Sequence, residues 1–229
     1  MSSTSMLALL QFSDGLFPTG AYAHSCGLET CVQDGAVCDA PSTSRFLRAY
    51  LQGAAGPADA AAVAIAMRSA EANDLGACLE LDATLDAIKP VAELRAASRQ
   101  LGRQSLRIAI ALSDDPLMKQ FADRVENDLT PCHHAVVFGI VGAAFGWTSR
   151  DAAAAFLHSS AVSIVGAALR LIPLGQTQGQ LIIRTLAPLI SSLADDAAET
   201  SITELSSFAP ALEIAAMRHA RLDARLFRS

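Results

Sequence analysis

Residues 58–70 read Ala-Asp-Ala-Ala-Ala-Val-Ala-Ile-Ala-Met-Arg-Ser-Ala. Alanine is the best helix former, and this run is apolar almost all round, so it specifies a helix buried among others. Only a packed assembly of helices offers it partners on every side. The remainder of the chain agrees. Apolar residues recur at three- and four-residue spacing, and no segment alternates as a half-buried strand does. The fold class expected is all-α: one bundle of about ten helices formed by residues 1–229 as a single domain.

Helix signals divide the chain. Helices are expected at 5–12 and 24–33, and from a Ser42 or Thr43 cap through Leu51. Gly56-Pro57 predicts a break, with Pro57 in the first turn of the central helix. Further helices are expected at 75–88, 91–112 and from Asp114-Asp115-Pro116 to Glu126, then at 133–146 and, behind a Thr148 capping box, to Leu171. Gly175 to Gln180 reads as a polar turn before a helix at 181–193, where Pro188 implies a kink or break. Residues 195–201 read as an acidic linker, and 204–222 as a last helical region interrupted at Pro210.

The net charge of −6 argues against a nucleic-acid partner. The longest uninterrupted apolar run, 135–147, falls short of the roughly 18 residues of a membrane span, and no basic secretory leader opens the chain. Five cysteines without a Cys-x-x-Cys pair fit reduced thiols in the cytoplasm.

Four groups of residues could carry chemistry. No phosphate-loop pattern occurs. Gly175-x-x-x-Gly179 could offer backbone N–H groups to an anion, but no cationic side chain follows it, so a turn joining two helices is the simpler reading. Cys132-His133-His134 and His24-x-Cys26 supply metal-ligand residue types without the spacing of a structural zinc site. Ser13-Asp14 and His24-Ser25 supply a nucleophile and a base, but a triad is defined by geometry and no nucleophile elbow is present. No resident metal or cofactor is expected. Finally, Arg218, Arg221, Arg225 and Arg228 fall at spacings of three and four, beside Leu222, Leu226 and Phe227. An arginine row with exposed apolar residues at a terminus suits either a solvated face or a protein contact.

The N-terminal stretch Leu10-Gln-Phe-Ser-Asp-Gly-Leu-Phe-Pro-Thr-Gly-Ala-Tyr-Ala-His-Ser-Cys-Gly-Leu-Glu29 is too apolar for a free loop. Pro18 and Gly20 set its course, and a rigid, partly buried turn carrying Tyr22 and His24 is expected. This stretch resembles the N-terminal signature of the urease accessory protein UreF family. Arg170-Leu-Ile-Pro-Leu-Gly-Gln-Thr-Gln-Gly-Gln180 is similar to a second signature, with Pro173, Gly175 and Gly179 as its turn residues. Pro210-x-Leu-Glu-Ile-x-x-Met-x-His-Ala-x-Leu222, followed by Arg225-Leu-Phe-Arg-Ser229, resembles the family's C-terminus. Thr19, Ala21 and Gln178 depart from the common pattern.

The resemblance implies an all-α, non-catalytic adaptor. Such proteins bind the scaffold UreD (also called UreH) and recruit the GTPase UreG, so that nickel reaches the urease apoprotein through the complex. It also implies a homodimer, with Tyr22 at or near the contact. Arg225 would tie down the C-terminal segment that UreG recognition needs, with Arg221, Arg228, Phe227 and His24 beside it. A nickel-binding metallochaperone acting directly through His24, Cys26 or Cys132 to His134 is the alternative. An independent hydrolase using Ser13 and His24 is a third reading.

Overall fold

The computed structural model describes residues 1–228, leaving aside the side chain of Ala21. Ser229, which ends the C-terminal match, lies outside the described residues. Among these residues the fold is all helical: α1 (Ser3–Ser13), α2 (Leu28–Gln33), α3 (Ala40–Tyr50), α4 (Ala61–Glu71), α5 (Leu75–Ile88), α6 (Ala92–Leu112), α7 (Pro116–Glu126), α8 (His134–Ala144), α9 (Ser149–Leu171), α10 (Gln176–Glu199) and α11 (Pro210–His219). Because α3 and α4 form one unbroken rod, the bundle contains ten separate helical pieces.

The alanine-rich run occupies the centre as α4, with every residue from Ala61 to Met67 buried. It packs chiefly on α8. A β-carbon on Gly139 would lie 2.4 Å from the Val63 carbonyl oxygen, so glycine there is what lets the two backbones touch. One apolar cluster surrounds this pair and includes Phe12, Phe121 and Trp147. A second, containing Leu28, Leu47, Leu157 and Leu186, joins α2, α3, α9 and α10. Helix α9 is long and apolar enough to cross a membrane, but half of its most apolar stretch is covered by the bundle, where it meets α10 and α4, as a core helix would be.

Several boundaries differ from the sequence expectation, each for a local reason. Helix α3 starts a turn early because Asp39, not Ser42 or Thr43, caps it. Its Oδ1 accepts from the Ser42 N–H at 2.8 Å, and Ser42 Oγ accepts from the Asp39 N–H at 3.1 Å. The break at Gly56-Pro57 does not occur. Residues Leu51–Ala60 continue the rod as a π-helical stretch. Pro57 cannot donate, and its ring excludes the usual bond to the carbonyl four residues back. That carbonyl, on Gly53, accepts instead from the Phe208 N–H at 2.7 Å, and the Pro57 carbonyl accepts from the Ser206 N–H at 3.3 Å. The widened turn is therefore completed by the segment before α11.

The glycine-bearing stretch at 175–180 is not a turn but the start of α10. Gly175 is its N-cap, with its N–H held by Gln178 Oε1 at 3.0 Å. Gly179 lies inside the helix, and its N–H donates to the Gly175 carbonyl at 3.0 Å. The connection from α9 is residues 172–175, which contain Pro173. Nor is 195–201 a linker. Helix α10 runs through Pro188 to Glu199, and Arg68 donates to the Ala198 and Thr200 carbonyls at its C-terminal end, where a cation is favoured.

Candidate functional site

The N-terminal turn is anchored from within. Phe17 and Leu28 are buried, and the Phe12 and Phe17 rings stand 4.6 Å apart. Asp14 Oδ1 accepts from the Leu16 N–H at 2.7 Å, and Gly20 takes a φ of +88°, so the chain reverses between them. Leu16 and Tyr22 face outward, 91% and 65% exposed. The residues considered for nucleophilic chemistry are not assembled for it. Ser13 Oγ is buried and takes no hydrogen-bond partner among the described residues. Ser25 Oγ accepts from the Glu29 N–H at 3.5 Å and serves the start of α2. His24 is held below its usual range by burial and by the nearby Arg228 guanidinium.

The C-terminal tail closes onto this turn. The arginine row is not one helical face, because α11 stops at His219 and the chain then folds back. The cause is Glu29, a buried carboxylate on the first turn of α2. Its Oε1 accepts from the Leu226 N–H at 2.7 Å. Its Oε2 accepts from the Phe227 N–H at 3.1 Å and meets His219 Nε2 at 2.9 Å. Burial alone would push the Glu29 carboxyl up, but these donors outweigh it and hold the group below its usual range. The other imidazole nitrogen, Nδ1, meets Glu93 Oε2 at 3.3 Å. Arg225 reaches Glu93 Oε1 at 3.3 Å.

Other contacts extend the seam. Gln33 Nε2 donates to the Ala224 carbonyl at 3.2 Å, and the Arg228 N–H donates to the Ala23 carbonyl at 2.8 Å. Arg218 pairs with Asp34 at 2.7 Å. Arg170, from the second signature, caps the assembly. Its guanidinium lies 4.5 Å from the Phe227 ring centroid and donates to the Tyr22 carbonyl at 2.8 Å. Phe227, expected to be exposed, is therefore buried, while Leu226, Arg221, Arg225 and Arg228 remain at the surface. The tail thus joins all three signature stretches. Glu29, His219, Glu93 and Arg170 hold it, and none of the four was singled out from sequence. The available signal was a lone acid in Leu28-Glu29-Thr30-Cys31-Val32, facing a lone histidine in an apolar helix.

Of the possible metal ligands, His24, Cys26 and His134 line one cavity, while Cys132 and His133 are engaged elsewhere. The Cys132 N–H and the His133 N–H both donate to the buried Asp82 carboxylate, at 2.6 and 2.8 Å. His133 uses both ring nitrogens, Nδ1 on Ser98 Oγ at 3.0 Å and Nε2 on Asp86 Oδ1 at 2.9 Å. Burial pushes the Cys132 thiol up to about 12 and the Cys26 thiol up to about 11, which disfavours the thiolate that a metal needs. His134 is pushed down to about 4 by burial against Phe138 and Phe156. Among the described residues no three histidine, cysteine or acidic side chains gather as a metal site.

Comparison with known proteins bears on this arrangement. A family model described as UreF matches residues 37–187. The urease accessory protein UreF of Trichodesmium erythraeum (strain IMS101) is 36% identical over 222 residues, covering 96% of this chain and 95% of the relative. This chain belongs to the UreF family. The urease accessory protein UreF of Bacillus sp. (strain TB-90) is 31% identical over 224 residues, with 98% and 99% covered. That of Nostoc sp. (strain PCC 7120) is 34% identical over 223 residues, with 97% and 95% covered. The family resemblance carried by the three signature stretches is thus borne out, and with it a place among urease accessory proteins. The tail–turn seam of this UreF-family chain lies largely outside the matched segment, in residues that the full-length relatives also span.

Proposed function

We propose that this chain is a non-catalytic, cytoplasmic adaptor in urease maturation. It binds a UreD/UreH homologue and recruits and regulates a UreG-type GTPase, so that nickel passes to the urease apoprotein. It works as a homodimer, without nucleic acid or membrane. The observation that supports this most is the seated tail: a terminal segment of high arginine content is held by a buried carboxylate while Arg221, Arg225 and Arg228 stay outward. Such an ordered basic edge is a recognition surface formed before the partner arrives, which lowers the ordering cost of binding. Tyr22, exposed beside it, belongs to the same surface.

Arg225 is 41% exposed at its side chain, and its pair with Glu93 is a surface one, worth about 0–1 kcal/mol. Its removal should therefore leave the fold intact. Co-purification with UreD and UreG homologues, with and without GTP, tests the reading. Arg225→Ala is expected to lose UreG capture with unchanged helicity by circular dichroism. Retained capture would refute the recognition role of Arg225. Failure of the unaltered chain to associate with either homologue would refute the adaptor reading itself.

A further inference from the structure

The five arginines and lysines on and just before α6 do not share one role. Arg95 donates to the Lys89 carbonyl, Lys89 pairs with Asp59 at 2.7 Å, and Arg99 pairs with Asp86. Arg103 and Arg107, the next two members of the four-residue repeat, are exposed, and neither has an acidic partner among the described residues. They line a surface groove together with Gln104 of the same helix and Pro18, Gly20 and Tyr22 of the N-terminal turn. No acidic residue lines it. On a chain of net charge −6, this is a local reversal of sign. Arginine suits such a place because its planar fork takes a carboxylate in two parallel hydrogen bonds. Tyr22 adds a half-apolar ring of the kind enriched at protein contacts.

The groove also continues the tail seam. Tyr22 forms its wall, and the Tyr22 carbonyl is the group that Arg170 holds beneath Phe227. A protein reading the seated tail would pass directly over it. We propose that this groove receives a carboxylate-bearing segment of the same partner protein that reads the tail. Two carboxylates about one helical turn apart match Arg103 and Arg107, which are four residues apart on α6. This inference rests on the adaptor reading above, and it predicts an acidic patch on the partner that faces the tail.

The test uses the full chain with purified UreD and UreG homologues. Arg103→Glu with Arg107→Glu reverses the groove, and Arg45→Glu with Arg124→Glu makes the same change in net charge elsewhere. A photo-crosslinking amino acid at Gln104 reports what lies in the groove. The expected result is about a tenfold or greater loss of affinity for the tail-reading partner in the groove variant alone, a loss that high salt reproduces in the unaltered chain. The crosslink should fall in a partner segment with at least two Asp or Glu residues within four positions. Undiminished capture by the groove variant overturns the inference, and so does a crosslink to a second copy of this chain or to a segment without carboxylates. Inorganic phosphate binding lost with the two arginines, with no protein crosslinked, also overturns it by marking a small-anion site. Absence of any partner capture by the unaltered chain removes the adaptor reading and this inference together, and that outcome is recognisable before any variant is made.

Discussion

Glu29 Oε2 and His219 Nε2 meet at 2.9 Å across 190 residues of sequence, with both side chains almost fully removed from solvent. The pair ties the chain's two ends together. The carboxylate also receives two tail N–H groups, so removing it leaves three donors without an acceptor in a buried place. Leaving a buried donor unsatisfied costs about 1–3 kcal/mol. Glu29→Ala is expected to unseat residues 220–228. Trypsin should then cut after Arg221 and Arg225 far faster than in the unaltered chain, and amide exchange at Leu226 and Phe227 should lose its protection. Unchanged cleavage would show that the tail is held by something else. Glu29→Gln keeps the shape but replaces one acceptor with a donor, and its release should be intermediate.

Arg170 holds the same tail from above, by a cation–π contact to Phe227 and a hydrogen bond to the Tyr22 carbonyl. Arg170→Lys keeps the charge but cannot make both contacts at once. A local loss of about 1–2 kcal/mol is expected, from the cation–π and hydrogen-bond contributions together. It should appear as faster exchange at Phe227 without a change in exchange of the α4 amides. If α4 exchange rises equally, Arg170 supports the whole bundle and not the tail.

The bundle was legible because helix periodicity is a local property. The run at 61–67 is apolar on all faces, and burial on all faces follows. The structure departs from the local signals where a distant segment decides the local shape. Gly56-Pro57 carries a strong break signal, yet the rod continues because the Phe208 N–H, far along the chain, satisfies the Gly53 carbonyl that Pro57 displaces. Arg218 to Arg228 carries helical spacing, yet the helix ends because Glu29 competes for the amides of Leu226 and Phe227. Gly175 and Gly179 suggested a turn, but one is a cap and the other faces Val165 on α9 inside the helix. Tyr22 and Arg225 are named by the resemblance. The carboxylate that seats the tail could be found only by bringing the ends together.

Gly102 makes a sharper test of packing. A β-carbon there would fall 1.9 Å from the Cys132 carbonyl oxygen and 2.9 Å from the His133 carbonyl carbon. Both belong to backbone fixed by Asp82, so neither can yield cheaply. Overpacking normally costs about 1–3 kcal/mol, and a clash with pinned backbone belongs at or above the upper end. Gly102→Ala should lower the denaturation midpoint strongly and raise the exposure of Cys132 to thiol reagents. Gly166→Ala, in α9 where a β-carbon meets nothing within 4 Å, should be neutral or mildly stabilising by helix propensity. Equal effects at the two sites would contradict the packing described for α6.

Acid should weaken the fold earlier than carboxylate chemistry alone would allow. His134 packs against Phe138 and Phe156, and burial pushes it down to about 4 from an unfolded value of 6.5. A depressed histidine pKa means that the unfolded chain takes up the proton first. Stability from this group is therefore complete above about pH 6.5 and is lost as pH falls toward 4, by on the order of 3 kcal/mol over that window. His133, lowered chiefly by burial, acts in the same direction. The depressed carboxyls of Glu29 and Asp86 act with the same sign at lower pH, from the ordinary carboxylate range downward. Urea titrations at pH 7.5, 6 and 5 should show the midpoint falling at each step. His134→Leu, close in volume and without a proton to gain, should flatten part of that slope while leaving the pH 7.5 midpoint near that of the unaltered chain. A midpoint independent of pH between 7.5 and 5 would show that packing against the two rings does not keep the proton from His134.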